Sequence, residues 1–262
     1  MATAPGASAL PLFYSGLEPL SAEKHGDYRM RRLGAAPFLA RHHAVPLTTD
    51  EFPLVQRRMP IVFAVGENPV PLALMGLNEG VNVFVDDAGR WSDADMYVPA
   101  YVRRYPFMLA KRSPDAESLT LCFDPGAEAI GPFPDGQPLF ENGQVTAVTN
   151  GILQFAQQFE QAGNRTGQFM KEIGALDLLI DGEMQIQPEG AAQPFVYRGF
   201  RMVEEQRLDA LDEAQLGRMA KSGMLALIHA HLFSLSLVRD IFARQMALGK
   251  APPAPPQPDQ GA

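Results

Sequence analysis

The sequence predicts an α+β fold, with a mostly antiparallel sheet in the first half and long helices in the second half that pack on it. Short β-branched runs separated by tight turns fill much of the stretch between residues 60 and 123. Longer segments with helical apolar spacing follow from residue 146. Strands and helices do not alternate as βαβ units would require, which favours antiparallel pairing.

Five runs in the first half have the composition of strands. Three of them are separated only by short turns containing Gly and Asn, and we expect them to form an antiparallel meander: Pro60–Val65, Val70–Leu77 and Val81–Val85. Two more, Met108–Lys111 and Ser118–Phe123, are separated by a Ser-Pro-Asp turn.

Two short helices are expected among these strands. Thr48 or Thr49 is suited to cap a helix, with Glu51 in its first turn. Pro99 fits the first turn of a second helix running to Arg104, where a following proline ends it.

The second half is more helical. Residues 146–173 have the apolar spacing of a long amphipathic helix. Met184–Ile186 and Phe195–Val203 are predicted to form a hairpin. A helix between Leu208 and Met219 precedes a closing helix from Met224 to about Leu248.

We predict the following domain organisation. Residues 1–40 are an extended or partly mobile N-terminal segment rich in Pro, Gly and Ala. Residues 41–248 form a single α+β domain, with a subdivision allowed near the loop 124–145. Residues 249–262 are a disordered Pro-rich tail.

Composition argues against several classes of function. The formal charge of −8 argues against nucleic-acid binding, which needs a basic surface. We expect no membrane insertion, no cleaved signal segment and a cytoplasmic location. The single cysteine, Cys122, allows neither an intramolecular disulfide nor a cysteine metal cage, and it is predicted to lie buried in a strand.

The apolar run Leu225–Arg239 contains His229 and His231. On a helix these two side chains point about 200° apart, so they do not bind one metal ion together. We therefore expect one histidine to be hydrogen-bonded in the core and the other to lie at a surface or interface. The alternative is a polar site in a helical groove, and no metal site is predicted.

A second cluster follows an aromatic-rich stretch that contains Trp91. Arg103 and Arg104 beside Tyr105 suit a clamp for carboxylate or phosphate, and equally a buried ion pair. No nucleophile elbow, phosphate loop, dinucleotide fingerprint or zincin motif is present, so catalytic residues stay unknown and no cofactor is expected. The candidate partner-binding residues are Arg103, Arg104, Tyr105, Trp91, His229 and His231.

Four stretches resemble the signatures of the bacterial SapC family: VPLTTDEF…MPIVFAV, LALMGLNEGVNVFVDDAGRW, YVPAYVRRYPFML and SGMLALIHAHLFSL. They span residues 42 to 238 in the family's order. Met224 is one departure, because an aromatic residue is expected there. The family is named from a surface-layer locus, and its members occur beside genes for outer-membrane receptors, flavin halogenase-like proteins and cupin-like oxygenases.

The resemblance and the lack of catalytic motifs together favour a non-catalytic accessory protein that binds a protein or peptide partner. It would serve a bacterial surface-layer, uptake or modification system. One alternative is a metal-dependent, cupin- or oxygenase-like enzyme that uses His43, Glu51 and the later histidines. The other is a structural surface-layer component. The closing helix also allows a homodimer.

Overall fold

The computed structural model describes residues 10–111, 118–187 and 194–250. The turn expected after Lys111, the loop expected after Gln187 and the tail from residue 251 lie outside the described residues. The α+β class is confirmed: antiparallel sheets dominate the first half, and the long helices come later.

Within the described residues the strands, in chain order, are β1 Glu18–Pro19, β2 Arg29–Met30, β3 Ala44–Pro46, β4 Ile61–Phe63, β5 Pro71–Leu74, β6 Phe107–Lys111, β7 Leu119–Phe123, β8 Ile130–Gly131, β9 Gln137–Pro138, β10 Phe140–Glu141, β11 Gln144–Val145, β12 Leu179–Ile186 and β13 Phe195–Val203.

The α-helices of the described residues are α1 Ala22–His25, α2 Phe52–Val55, α3 Ala100–Arg104, α4 Ala147–Ala175, α5 Glu205–Asp209, α6 Glu213–Ser222, α7 Met224–Ser234 and α8 Val238–Ala247. Short 3-10 helices occupy Pro37–Leu39, Thr49–Glu51 and Leu235–Leu237. The closing helix expected from Met224 therefore exists, with a 3-10 turn at its middle.

The chain divides into two compact units. Unit 1 comprises Met1–Gly34 and Arg103–Glu160, and unit 2 comprises Ala35–Val102 and Gln161–Ala262. Each unit therefore combines two separate stretches of sequence.

Unit 1 is built around short antiparallel strands. Strand β7 pairs with β6 on one side, as the sequence predicts, and with β1 on the other. Strand β2 lies between β8 and β9, and β10 and β11 form a small hairpin. The core of this unit includes Phe107, Phe123 and Leu139, each almost completely shielded from solvent.

Unit 2 contains a five-stranded sheet in the order β12-β13-β4-β5-β3, with every neighbouring pair antiparallel. The predicted hairpins β4–β5 and β12–β13 are both present. The prediction of a third meander strand at Val81–Val85 is wrong. Strand β3, which precedes β4 in sequence, occupies the place beside β5.

The side chain of Asn82 explains this difference. It is fully buried, and its amide oxygen accepts hydrogen bonds from the backbone N–H groups of Phe84 and Val85 at 2.8 and 3.2 Å. Its amide nitrogen donates to the carbonyl oxygens of Leu39 and His42. Because a side chain takes up these backbone donors, the segment folds as a loop, with an isolated bridge from Val85 to Trp91.

The Glu51 carboxylate accepts hydrogen bonds at the starts of two helices in unit 2. It forms the predicted capping box with Thr48, whose backbone N–H and hydroxyl both donate to Oε2 at 2.8 Å. Its Oε1 accepts from the N–H of Ala100 at 2.6 Å and from the hydroxyl of Tyr97 at 3.1 Å. One buried carboxylate thus satisfies backbone donors at the start of α3 as well as those ahead of α2.

The closing helical segment Met224–Ala247 is long and apolar enough to cross a membrane by length and composition alone, a test that buried core helices also pass. In the described residues it packs on the sheet of unit 2. Ser234 accepts a hydrogen bond from the N–H of Ile61 at 2.8 Å, which anchors the helix to β4.

Candidate functional site

The two adjacent arginines of the predicted cluster have different environments in unit 1. Arg103 is exposed, with its guanidinium carbon 5.1 Å from the centroid of the Phe155 ring. Arg104 is only 8% exposed, and its guanidinium carbon lies 4.5 Å from the Phe159 centroid and 5.8 Å from that of Tyr14. Arg104 is therefore an element of aromatic packing, whereas Arg103 faces solvent.

Tyr105 belongs to a hydrogen-bond network centred on buried Asp124. The carboxylate accepts from the Tyr105 hydroxyl at 3.1 Å, from the N–H and hydroxyl of Ser15 at 2.9 and 2.7 Å, and from the N–H of Gly126 at 3.0 Å. Burial raises the pKa of Asp124, but the hydrogen bonds from Ser15, Gly126 and Tyr105 outweigh it and hold the pKa below its ordinary value. Burial, followed by the nearby Asp124 charge, raises the pKa of Tyr105.

Trp91 lies in unit 2. It is partly buried and pairs with Val85 through the isolated bridge that closes the turn beginning at Asp86. Asp86 accepts hydrogen bonds from the backbone and side chain of Arg90, which lower the pKa of its carboxyl group. This turn fixes the position of the Trp91 backbone.

His231 is the core histidine that the helical geometry predicts. Its ring is fully buried, Nδ1 lies 2.7 Å from the carbonyl oxygen of Ile61, and Nε2 accepts from the N–H of Val203 at 3.1 Å. A carbonyl only accepts, so Nδ1 carries the proton and the ring is neutral. Burial lowers the pKa of His231 to about 4, although the bond to Ile61 acts in the opposite direction.

His229 lies on the other side of the same helix and is partly exposed. Its Nδ1 is 2.8 Å from the carbonyl oxygen of Leu225, and its ring centroid is 5.8 Å from that of Phe233. The two histidines thus occupy a core position and a surface position. The partner-binding role of the six predicted residues remains a prediction: Arg103, Arg104 and Tyr105 belong to unit 1, and Trp91, His229 and His231 belong to unit 2.

The residues considered for a metal centre are largely committed to the fold. Glu51 and His231 use their oxygen and nitrogen atoms in the backbone hydrogen bonds described above. His43 is partly buried; burial lowers its pKa, while the nearby Glu79 acts to raise it. Residues 10–111, 118–187 and 194–250 contain no group of three or more His, Cys, Asp or Glu side chains placed to hold a metal ion.

Unit 2 has an open groove that the sequence did not predict. It has a volume of about 370 Å³ and lies between the second half of α4 and the α6–α7 junction, with α2 at one end. We call it the α4 groove, and its lining residues are Thr49, Asp50, Pro53, Arg165, Gln168, Phe169, Glu172, Ser222, Met224 and Leu227. A smaller depression of about 280 Å³ adjoins it and shares two of these residues, Glu172 and Ser222.

The apolar floor of the α4 groove is held by the core of unit 2. Phe169 packs edge-to-face on Phe52, with centroids 5.9 Å apart, and stacks on Phe63 at 6.4 Å. The N–H of Thr49 donates to the Thr166 hydroxyl oxygen at 2.9 Å, which ties the end of the groove to α4. These contacts fix the position of Phe169 and of the groove's end against the core of unit 2.

The rim of the α4 groove is charged and solvent-exposed. Arg165 donates through Nε and Nη2 to the two carboxylate oxygens of Asp50 at 3.1 and 2.5 Å. These hydrogen bonds raise the pKa of Arg165. Gln168 and Glu172 lie on the same helix and are exposed. The α4 groove therefore combines an apolar floor with a charged and polar rim.

The SapC family model matches residues 20–241, which is most of the chain. The chain therefore belongs to the SapC family. Comparison with curated proteins gave no significant match, and neither did comparison with solved structures.

Proposed function

We propose that this SapC-family protein is a non-catalytic accessory protein of the cytoplasm that binds a protein or peptide partner in a bacterial surface-layer, uptake or modification system. The observation that supports this proposal best is the α4 groove, with its buried Phe169 floor and its exposed rim of Asp50, Arg165 and Gln168. Family membership supports the biological setting.

The helical walls and charged rim of the groove favour a peptide segment as the bound group. A volume of about 370 Å³ accommodates a few side chains of a partner. Two helices form its walls, as in grooves that receive an amphipathic helix. The exposed Glu172 and the Asp50–Arg165 pair offer both signs of charge to the polar face of such a helix.

The test combines capture with a matched pair of variants. Tagged protein is used to capture a partner from native lysate, and the purified partner is then titrated against the wild type, Gln168→Lys and Gln161→Lys by calorimetry. Both glutamines are exposed on α4, but only Gln168 lines the groove. We expect Gln168→Lys to weaken binding about tenfold, because it puts a longer, charged side chain at the contact, and Gln161→Lys to leave binding unchanged.

Equal affinities for the two variants and the wild type would contradict the groove as the binding site. Stoichiometric metal in protein purified without chelators, together with turnover of a small substrate, would contradict the non-catalytic role. Self-assembly into sheets at the cell surface would favour the structural surface-layer alternative.

A further inference from the structure

We propose that the closing helices of unit 2 form the interface of a homodimer, in which α7 and α8 of two copies pack antiparallel across a twofold axis. The surface involved is a line of exposed or partly exposed positions along these helices, which we call the outer stripe: Ala226, His229, Phe233, Ser236, Asp240 and Ala243.

The outer stripe has the spacing of a helix-packing seam. Its positions follow one another at intervals of three and four residues, which keeps them on one side of a helix. The surrounding sequence between Lys221 and Arg239 contains no Asp, Glu, Lys or Arg. At the middle of the stripe, Phe233 is 69% exposed, an unusual exposure for a large aromatic side chain on a helix whose opposite side is anchored in the core.

The outer stripe is self-complementary when two copies pack antiparallel. In an antiparallel pair with its axis between Ser234 and Leu235, Ala226 faces Ala243 of the second copy, His229 faces Asp240, and Phe233 faces Ser236. Small residues then meet small residues, the aromatic ring meets a small side chain, and a histidine meets a carboxylate. A twofold interface requires this kind of self-complementary surface.

A cavity beside Ser236 provides space for the aromatic ring. It has a volume of about 400 Å³, and its lining residues are Met184, Gln185, Ile186, Met202, Leu235, Ser236, Val238 and Arg239. Phe233 of a second copy, placed over Ser236, can enter this cavity, and the reverse contact follows by symmetry. Each copy then supplies both the projecting ring and the cavity that receives it.

The pair His229 and Asp240 adds a polar contact at each end. His229 commits Nδ1 to the carbonyl of Leu225, which leaves Nε2 for the second copy. Within one chain the two residues are eleven positions apart, or about 16 Å along a helix, so they interact only between copies. This separation makes a charge exchange between the two positions a specific test of the dimer.

The proposal stands apart from the proposed function, since no residue of the outer stripe lines the α4 groove. The experiment is sedimentation velocity of the full chain over a wide range of concentration. We expect a concentration-dependent dimer for the wild type. Phe233→Ser should weaken the dimer by about 100-fold, because both copies lose their aromatic contact.

The charge exchange gives the decisive comparison. We expect His229→Glu to weaken dimerisation, because it places like charges opposite each other, and Asp240→Lys to weaken it by removing the carboxylate that pairs with His229. The double variant His229→Glu/Asp240→Lys should restore dimerisation. Thermal unfolding of each variant shows whether the fold is retained.

A wild type that stays monomeric at every concentration would overturn the proposal. A dimer that tolerates Phe233→Ser would also overturn it, because the interface would then lie elsewhere. Binding of the monomeric chain to neutral phospholipid vesicles, lost in Phe233→Ser, would assign the outer stripe to a lipid surface and overturn the dimer.

Discussion

At the scale of single residues, His231 joins a helix to two strands of one sheet. Its ring lies between the carbonyl of Ile61 on β4 and the N–H of Val203 on β13, and it also contacts the ring of Phe63 at 4.8 Å between centroids. Both backbone groups are satisfied only while the ring is neutral. Its structural role therefore depends on its protonation state.

We predict that His231 makes the fold sensitive to acid. Its pKa is about 4 when folded, below the ordinary value of 6.5 that it has in the unfolded chain. The unfolded chain takes up the proton first, so this stabilisation is complete above pH 6.5 and is lost as the pH falls towards 4. Between pH 7 and pH 5 the loss of unfolding free energy through this residue is about 2 kcal/mol.

The measurement is urea denaturation at a series of pH values for the wild type and His231→Gln. Glutamine keeps a donor and an acceptor but does not titrate in this range. We expect the variant to be less stable at pH 7 and to have a shallower dependence on pH. Equal slopes for the two proteins would show that other groups cause the acid sensitivity.

Arg103 and Arg104 form a natural pair for a stability comparison. Arg104→Ala removes a buried side chain packed between Phe159 and Tyr14, and we expect it to lower the unfolding free energy by about 2 kcal/mol. Arg103→Ala alters an exposed side chain and should change stability by less than about 0.5 kcal/mol. Chemical denaturation measures both, and equal losses would contradict the difference in their environments.

At the scale of elements, two glycines with nearly the same positive φ separate backbone strain from steric conflict. Gly80 and Gly89 have φ values of +79° and +77°. A Cβ atom at Gly80 would meet nothing within 4 Å, whereas one at Gly89 would lie 2.2 Å from the backbone carbon of Ala36.

We therefore expect Gly80→Ala to lower the unfolding free energy by about 1 kcal/mol, through the positive φ alone. Gly89→Ala should lower the unfolding free energy by about 2 kcal/mol more than Gly80→Ala, because the backbone at Ala36 has to move. The two thermal or urea unfolding curves measure the difference. Similar losses would indicate that the Ala36 segment moves without resistance.

Elements defined by local chemistry were predictable from the sequence. The capping box of Thr48 and Glu51, the hairpin β6–β7 and the long helix α4 all arise from residues that are near one another in the chain. The run Val81–Val85 was assigned wrongly because its composition favours a strand, while the bonds that decide its structure come from the side chain of Asn82. Periodicity carries no information about such a bond.

At the scale of the whole molecule, the two proposed binding surfaces both belong to unit 2. The α4 groove involves the second half of α4 and the start of α7, and the outer stripe runs along the exposed side of α7 and α8. Because they share no residue, the groove variants and the stripe variants report on separate interactions. A variant that loses partner binding but still dimerises, or the reverse, therefore identifies the surface that it affects.

The sequence by itself determined the α+β class, most of the helices and hairpins, the opposite orientation of His229 and His231, and membership of the SapC family. These properties follow from local propensity, periodicity and motif order. Only the tertiary structure decided that β3 pairs with β5, that Arg104 is buried while Arg103 is exposed, and that α4 and α7 enclose a groove. Each of these depends on contacts between residues distant in the chain, which a sequence pattern does not specify.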